Sequence, residues 1–507
     1  MKLIIRADAS RTIGTGHVMR CLALAQGWKV IPEKAIFVMR TEVPTLEARL
    51  KLEGFEIFHL PMHLEQVEDA RKTASLAKQL DANWVVVDGY HFSAEYQRII
   101  KNFGLKLLFI DDYGHAEHYY ADIVLNQNLF ADESLYKNRE PYTQLLLGTK
   151  YILLRREFWQ CQGWQRINPF IASKILVTMG GADPDNATFK VIQGLQLLSV
   201  NDLEVVVVVG GSNPHYEQLK LVSETSQLPI RLEKNVTNMP GLMAWADLVV
   251  TAGGSTCWEL AFMGLPSVIL ILAENQRAIA QKLDEMGVSI YLGWHQDVSA
   301  AEIASAVAHL LIAAHTRVEM TRRGQELVDA EGSKRVLRHL EAKLFKLRLV
   351  CQEDCRLLWE WSNDPEVRAV SFSTKPIAWE NHVQWFQSRL DSFHYIIYII
   401  VDINNLPVGM IRYELEGKEA IIAITIDQKF RHQGYGSNFI ELGSEEISKS
   451  LNILSIHAYI KPSNEISIKA FSRAGFHNIG ITKLRGHEAA HLIRKNKSPI
   501  TKLDARN

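Results

Sequence analysis

The sequence predicts an α/β protein made of two doubly wound parallel sheets in series, followed by a smaller mixed α+β unit. Three observations carry this. Residues 1–130 alternate short apolar strands with helix-like segments of about 10 to 15 residues, the pattern of a parallel sheet wrapped by helices. Between residues 174 and 272 four further apolar runs each close on glycine or small polar residues. At Leu344–Val350 the helical periodicity gives way to the alternation LFKLRLV, which opens a third unit.

The bulk numbers agree with several domains and exclude some functions. At 507 residues the chain exceeds one ordinary core. A formal net charge of -1 with balanced acids and bases argues against a polyanion-binding surface, so nucleic acid is not an expected partner. Cys21, Cys161, Cys257, Cys351 and Cys355 include no Cys-x2-Cys pair, which supports neither a disulfide framework nor a zinc site. His91, His115 and His118 with Asp111 and Asp112 fit no tetrahedral ligand set, and no metal is expected. The opening MKLIIRADAS has no apolar stretch of signal-peptide length, and no later run reaches about 18 apolar residues, so a cytoplasmic protein without membrane contact is expected.

In the first sheet Lys2–Arg6 reads as a buried strand, and His17–Trp28 carries Val18, Cys21, Leu22 and Ala25 at helical spacing. Gly14 and Gly16 turn the chain between them, free of the Cβ atoms that would keep a ligand from the backbone. The helix N-terminus then faces the loop, which suits a phosphate or another anion and disfavours an imidazolium at His17. A neutral imidazole there is what a general base for water needs. A capping or packed histidine would give the same spacing. The lack of a third glycine separates the turn from a dinucleotide fingerprint. Further strands are expected at Ala35–Met39, Phe55–Leu60, Trp84–Val87 and Leu107–Ile110. Asp88, Gly89 and Tyr90 follow one of these, and Asp111 with Asp112 another, where they can either reach the pocket that His17 faces or cap the next helix.

The stretch RADAS-x3-GTGHVMRCLALA closely resembles the N-terminus of the UDP-2,4-diacetamido-2,4,6-trideoxy-β-L-altropyranose hydrolases, the nucleotide-sugar hydrolases of pseudaminic acid synthesis, and the resemblance runs over roughly residues 1 to 340. It implies that His17 activates the attacking water, that Gly14, Gly16 and Arg20 belong to the substrate site, and that Tyr90 is the active-site tyrosine.

Between about Gln144 and Phe170 the alternation breaks, and this segment reads as a connector into the second lobe. Strands are expected at Lys174–Thr178, Leu203–Val209, Leu248–Val250 and Pro266–Leu272, ending in MGGADPDN, Gly210–Gly211, TAGGS and AENQ. The sharpest signal is TAGGSTCWELAFMGLP. Gly253 and Gly254 free the turn, Ser255 and Thr256 offer cap hydroxyls and N–H groups to a diphosphate, and Glu259 sits one helical turn further on, where a carboxylate can accept both hydroxyl protons of a ribose. A tight turn with an ordinary N-cap is the alternative. The stretch GGSTCWELAFMGLPSVILILAENQ resembles the UDP-binding half of the peptidoglycan UDP-GlcNAc glycosyltransferase and its relatives, whose two-lobed, GT-B-like fold of Rossmann-like lobes the hydrolases share. It implies Gly181, Gly254, Ser255 and Glu259 as nucleotide contacts and Asn275 as a polar residue beside the substrate.

The third unit has its own glycine turn. A strand at Ala420–Ile426 is followed by DQKFRHQGYGSNFIELG, in which Arg431, Gly434 and Gly436 open a helix whose first N–H groups can cradle a pyrophosphate. WSNDPEVR and PIAWENHVQWF precede it, and ILSIHAYI and NEISIKAFSRAGF follow. This order resembles the GCN5-related N-acetyltransferases (GNAT), over about residues 345 to 490, and the WSNDPEVRAVSFS opening is similar to the branch that acetylates the 4-amino group of the same pseudaminic acid intermediate. The resemblance implies acetyl-CoA as co-substrate, with Arg431, Gly434, Gly436 and Asn464 as its contacts. Many members have a tyrosine where Phe471 stands here, so either another group protonates the leaving thiolate, with Tyr435 and Tyr459 as candidates, or it leaves unassisted.

The sequence therefore predicts two Rossmann-like lobes, 1–155 with the catalytic histidine and 156–343 binding UDP, then a GNAT domain at 344–495. The expected activity is bifunctional: acetyl-CoA-dependent 4-N-acetylation of a UDP-amino sugar, and its hydrolysis by water activated at His17. Two rivals share these features, a UDP-sugar glycosyltransferase fused to another N-acetyltransferase and a non-catalytic regulator that binds nucleotide sugar and CoA. Turnover of a UDP-sugar without acceptor separates the first, and tight binding without turnover marks the second.

Overall fold

In the computed structural model the described residues are 2–10, 13–28, 35–200, 202–234, 236–402, 405–432, 435–451, 453–484 and 486–495. They fall into two compact units, residues 1–337 and 338–507. The break lies inside the helix Gly332–Ala342, whereas the change of periodicity near 344 marks the start of the first strand beyond it.

The first unit holds two parallel sheets. Strands β1 (Lys2–Ala7), β2 (Ala35–Met39), β3 (Glu56–His59), β4 (Ala82–Asp88), β5 (Lys106–Ile110), β6 (Ile123–Asn126) and β7 (Gln144–Leu147) form one, in the order β3-β2-β1-β4-β5-β6-β7. Strands β8 (Lys174–Thr178), β9 (Glu204–Val209), β10 (Ile230–Lys234), β11 (Leu248–Ala252), β12 (Ser267–Ile271) and β13 (Ser289–Trp294) form the other, in the order β10-β9-β8-β11-β12-β13. The central strands are nearly all apolar because both faces are covered by helices. Their side chains alternate between two cores. Leu176, Val249 and Ile269 pack with Trp258 and Leu260, while Val177, Val250 and Leu270 pack with Val191, Ile303 and Leu310 on the opposite face.

One sequence expectation needs correction here. Gln144–Leu147, read as the start of a connector, is the seventh strand of the first sheet, with Val124 and Leu125 of β6 in register with Leu145 and Leu146. Four residues are too few to show a period, and Gly148 at φ 92° turns the chain directly after them.

The second unit is a mixed sheet of β14 (Lys346–Leu349), β15 (Tyr395–Val401), β16 (Pro407–Glu416), β17 (Glu419–Ile426), β18 (Ser455–Ile460), β19 (His477–Leu484) and β20 (His487–Lys495), in the order β14-β15-β16-β17-β18-β20-β19. Its neighbours are antiparallel except β17 and β18. That parallel pair is in register only from Glu419–Ile421 against Ser455–His457, although β17 runs on to Ile426 and β18 to Ile460. The two strands therefore part at their carboxyl ends.

Candidate active sites

Both parallel sheets reverse their strand order once, between β1 and β4 in the first and between β8 and β11 in the second. Such a switch point opens a crevice at the carboxyl edge, because the connections on its two sides run to opposite faces. His17 follows β1 and Asp88 ends β4, so the first crevice lies between them. Gly181 follows β8 and Ser255 follows β11, at the second.

The first crevice is lined by buried charge. His17, in the first turn of the helix Gly16–Gly27, has Nδ1 2.7 Å from Asp88 Oδ1. Arg20, one turn on, donates from Nε to Asp88 Oδ2 at 2.6 Å and from Nη2 to Asp88 Oδ1 at 2.7 Å, while its Nη1 reaches both oxygens of Asp112 at 2.8 and 3.0 Å. Burial pushes the Asp88 carboxyl up, but Arg20 and His17 beside it outweigh that and hold it well below the usual carboxylate range. Asp112 is lowered in the same way, with Arg20 overcoming burial. An ionised carboxylate can only accept, so in this contact with Asp88 the Nδ1 of His17 is the donor.

Tyr90 extends the network. Its O–H donates to Asp112 Oδ2 at 2.7 Å, and its oxygen accepts from Asn275 Nδ2 of the second lobe at 3.0 Å. The ring stands edge-on to His17 with centroids 4.7 Å apart. Burial first, then the Asp112 charge, raise the phenol well above its ordinary value, so it stays a neutral hydrogen-bond donor. Asn128 Nδ2 completes the shell on Asp112 Oδ1 at 2.8 Å.

The two crevices meet through their glycine turns. A Cβ on Gly181 would stand 2.7 Å from Thr15 Oγ1, and one on Gly16 would stand 3.8 Å from Ser255 Oγ. Glycine at 181 thus lets the β8 turn of one lobe lie against the β1 turn of the other. Gly14 takes φ 77°, the left-handed region that favours glycine, and hydrogen-bonds with Ser10 across the turn. Ser255 is the exposed N-cap of the helix Thr256–Met263, and its hydroxyl makes no capping bond, while a Cβ on Gly254 would meet no atom within 4 Å. Glu259 lies a turn into that helix, and Arg155 donates to its Oε1 from Nε at 3.0 Å and Nη2 at 2.8 Å.

His17, Arg20, Tyr90 and Asn275 are therefore brought together by hydrogen bonds and ring contact, with Gly16, Gly181 and Ser255 at the same junction. The sequence leaves Asp88 and Asp112 open between pocket and cap, and both bond the His17–Arg20 pair. Their neighbour Asp111 caps no helix: it accepts from the backbone N–H groups of Tyr113 and Gly114 at 2.9 and 3.0 Å and so folds its own loop. Arg155 gave no sequence signal.

In the second unit the helix Tyr435–Ser450 begins shortly after β17, beside the gap between β17 and β18. Gly436 lies in its first turn, with Ala470 and Ile426 in ordinary contact distance of a Cβ there, and Gly434 lies outside the described residues. Arg431 is bonded within its own unit through two of its nitrogens: Nη1 lies 2.7 Å from Asp364 Oδ1 and 2.9 Å from Glu366 Oε2, and Nε donates to Ile426 O at 2.8 Å, while Nη2 has no partner among the described residues. Asn464 caps the helix Glu465–Arg473 by accepting from Ser467 N–H at 3.2 Å. Phe471 is buried edge-on to Phe476. Of the two candidate acids, Tyr435 is packed among Phe345, Phe430 and Phe439, where burial pushes its phenol up to about 12. Tyr459 lies past the last residue of β18 that pairs with β17, beside the gap, and on the other side pairs with His491 of β20, on whose ring it stacks with centroids 4.4 Å apart.

Comparison with known proteins places names beside this geometry. Residues 174–336 match the glycosyltransferase family 28 C-terminal domain, and residues 345–477 match the acetyltransferase (GNAT) domain. Over 490 residues the chain is 26% identical to an uncharacterised protein of Methanocaldococcus jannaschii, covering 94% of this chain and 96% of that one. It is 26% identical over 338 residues to the spore coat polysaccharide biosynthesis protein SpsG of Bacillus subtilis, covering 66% and 96%. Over 294 residues it is 25% identical to the UDP-2,4-diacetamido-2,4,6-trideoxy-beta-L-altropyranose hydrolase of Campylobacter jejuni, covering 57% and 98%.

The chain thus joins a region with homologues named as pseudaminic acid pathway hydrolases to a C-terminal GNAT domain. The two parallel sheets and the GNAT fold read from the sequence are the ones observed, and the combination supports a bifunctional sugar-modifying enzyme with acetyltransferase activity. Among the described residues no helix is long and apolar enough to cross a membrane, and no group of three His, Cys, Asp or Glu side chains is placed to hold a metal.

Proposed function

We propose that residues 1–337 hydrolyse UDP-2,4-diacetamido-2,4,6-trideoxy-β-L-altropyranose to UDP and the free sugar, and that the GNAT domain first acetylates the C4 amine of the UDP-linked 4-amino-4,6-dideoxy-2-acetamido precursor. The observation that supports the hydrolytic step most is the His17–Asp88 pair at the switch point, with Nδ1 to carboxylate at 2.7 Å. A water held at Nε2 attacks C1 and loses its proton to that nitrogen as the C1–oxygen bond to the diphosphate breaks. A single displacement of this kind inverts C1. Asp88 contacts His17 directly, with Arg20 bonded to Asp88 and Asp112 behind it, so the imidazolium formed in the transition state is compensated by Asp88. UDP leaves as a stable anion, and the turns at Gly181 and Gly254–Ser255 present backbone N–H groups where its charge grows. Tyr90 and Asn275 hold the sugar's polar groups from the two sides of the cleft.

For the acetyl step the gap between β17 and β18 receives the acyl end of acetyl-CoA, and the start of the helix Tyr435–Ser450, with Gly434 and Gly436, receives its pyrophosphate. When bound, acetyl-CoA supplies the activated acyl group. Tyr459 beside the gap is the better placed acid for the departing thiolate, since Tyr435 is enclosed by phenylalanine rings.

The test is mass spectrometry of products formed by the full chain from the UDP-4-amino sugar, with and without acetyl-CoA. The expected result is a free diacetamido sugar and UDP only when acetyl-CoA is present. Release of UDP at equal rates from the amino and acetylated nucleotides would show that the hydrolase does not read C4, and no release from either would leave the first unit without this activity.

A further inference from the structure

The segment that joins the two parallel sheets delivers a guanidinium to the helix after β11. Arg155, 8% exposed, puts both of its hydrogen bonds to Glu259 on Oε1, and its Nη1 lies 2.7 Å from Glu157 Oε1. Among the described residues no hydrogen bond engages Glu259 Oε2. Glu157 lies 3.4 Å from Arg49, and Arg49 with Arg156 holds Glu53 at the end of the helix Pro44–Leu52 in the first lobe. A chain of alternating charges therefore runs from Glu259 to the first lobe, with Arg155 as its only link to the carboxylate among the described residues.

We propose that Arg155 is a positioning residue of the nucleotide site, holding Glu259 ionised and pinned by one oxygen so that the other faces the two hydroxyls of a ribose. This rests on Glu259 being the ribose acceptor. Two hydroxyl donors need acceptor lone pairs, which an ionised carboxylate supplies and a protonated one partly loses. Burial raises the Glu259 carboxyl above its ordinary value, and Glu157 adds to the rise, while Arg155 is the cation that opposes both. Without it a largely buried carboxylate would be unpaired, and such a group takes up a proton rather than stay charged. Charge at Glu259 would then be lost as the pH falls.

A double-mutant cycle on the full chain tests this, with UDP affinity measured by calorimetry at pH 6 and pH 8. The variants are Arg155→Met, Glu259→Gln, the pair together, and Arg155→Lys. Arg155→Met is expected to weaken UDP about tenfold at pH 6 and clearly less at pH 8, while Glu259→Gln weakens it about equally at both. In the Glu259→Gln background Arg155→Met should add less than about twofold, because its partner is already gone. Arg155→Lys, which keeps the cation and guards against misfolding of the methionine variant, should restore most of the affinity at pH 6. Equal losses from Arg155→Met in both backgrounds, or the same loss at both pH values, would overturn the positioning role while leaving Glu259 as the ribose acceptor. Unchanged UDP affinity in Glu259→Gln would overturn that reading and the proposal with it.

Discussion

The two parallel sheets of residues 1–337 share one topology and differ in what they place at the switch point. The first sets buried charges there, with His17, Arg20, Asp88 and Asp112 joined by bonds of 2.6 to 3.0 Å. The second sets glycine and an exposed serine there, and keeps the Glu259 carboxylate a turn back, against Arg155. The topology supplies a crevice in both cases, and the side chains at the strand ends decide what it offers, ionisable groups in the first and a serine hydroxyl beside open glycine backbone in the second. The buried carboxylates show the same contrast: Arg20 outweighs burial at Asp88 and Asp112, whereas burial outweighs Arg155 at Glu259.

The comparison breaks most sharply at His17. Replacing it with asparagine should cut UDP release by about 10²- to 10⁴-fold, the usual worth of a general base, while leaving UDP affinity unchanged, since the proposed nucleotide contacts lie in the other lobe. Hydrolysis surviving within about tenfold would remove His17 as the base.

Next comes Asp88→Asn, which keeps shape but removes the charge that selects the His17 tautomer and pairs with Arg20. UDP release should fall about 100-fold, and the double variant with His17→Asn should be little worse than His17→Asn alone. A further multiplicative loss in the double variant would show that the two act independently.

Tyr90→Phe should cost about 1 kcal/mol of transition-state stabilisation, roughly fivefold in kcat/KM, because it deletes one hydroxyl that joins Asp112 to Asn275. An unchanged kcat/KM would mean that this bridge between the lobes does not contribute to turnover.

The smallest effect extends the contrast between carboxylates to the second unit. Burial pushes Glu341 up to about 7, with Arg338 only partly opposing. A carboxyl raised in the folded state contributes stability that is present at pH values below its unfolded value of about 4.3 and lost as the pH rises through the folded value. Melting of the chain should therefore show the second unit losing stability between pH 6 and pH 8, on the order of 1 kcal/mol, and Glu341→Gln should flatten that loss. An identical pH dependence in the variant would assign it to other groups.

Much of this protein is determined by local sequence. Apolar runs such as KLIIR, AIFVM and KILVT became strands close to where they were read, and GTGH and TAGGS became the turns into helices, because buried parallel strands and glycine turns depend on neighbours a few residues away. What each strand-end residue does was decided by tertiary structure. Asp111 and Asp112 are adjacent in the chain, yet one folds a loop and the other enters the site, since successive residues leaving a strand point in different directions. His17 finds Asp88 across 71 residues only because β1 and β4 are neighbours in the sheet. Arg431, which reads as a ligand contact in its glycine motif, has its Nη1 held by Asp364 and Glu366, 67 and 65 residues away. Arg155, in a segment without periodicity, reaches Glu259 across 104 residues because the connector packs beneath the helix after β11. Periodicity reports which face of an element is buried, and strand order and chain return decide which partner waits there.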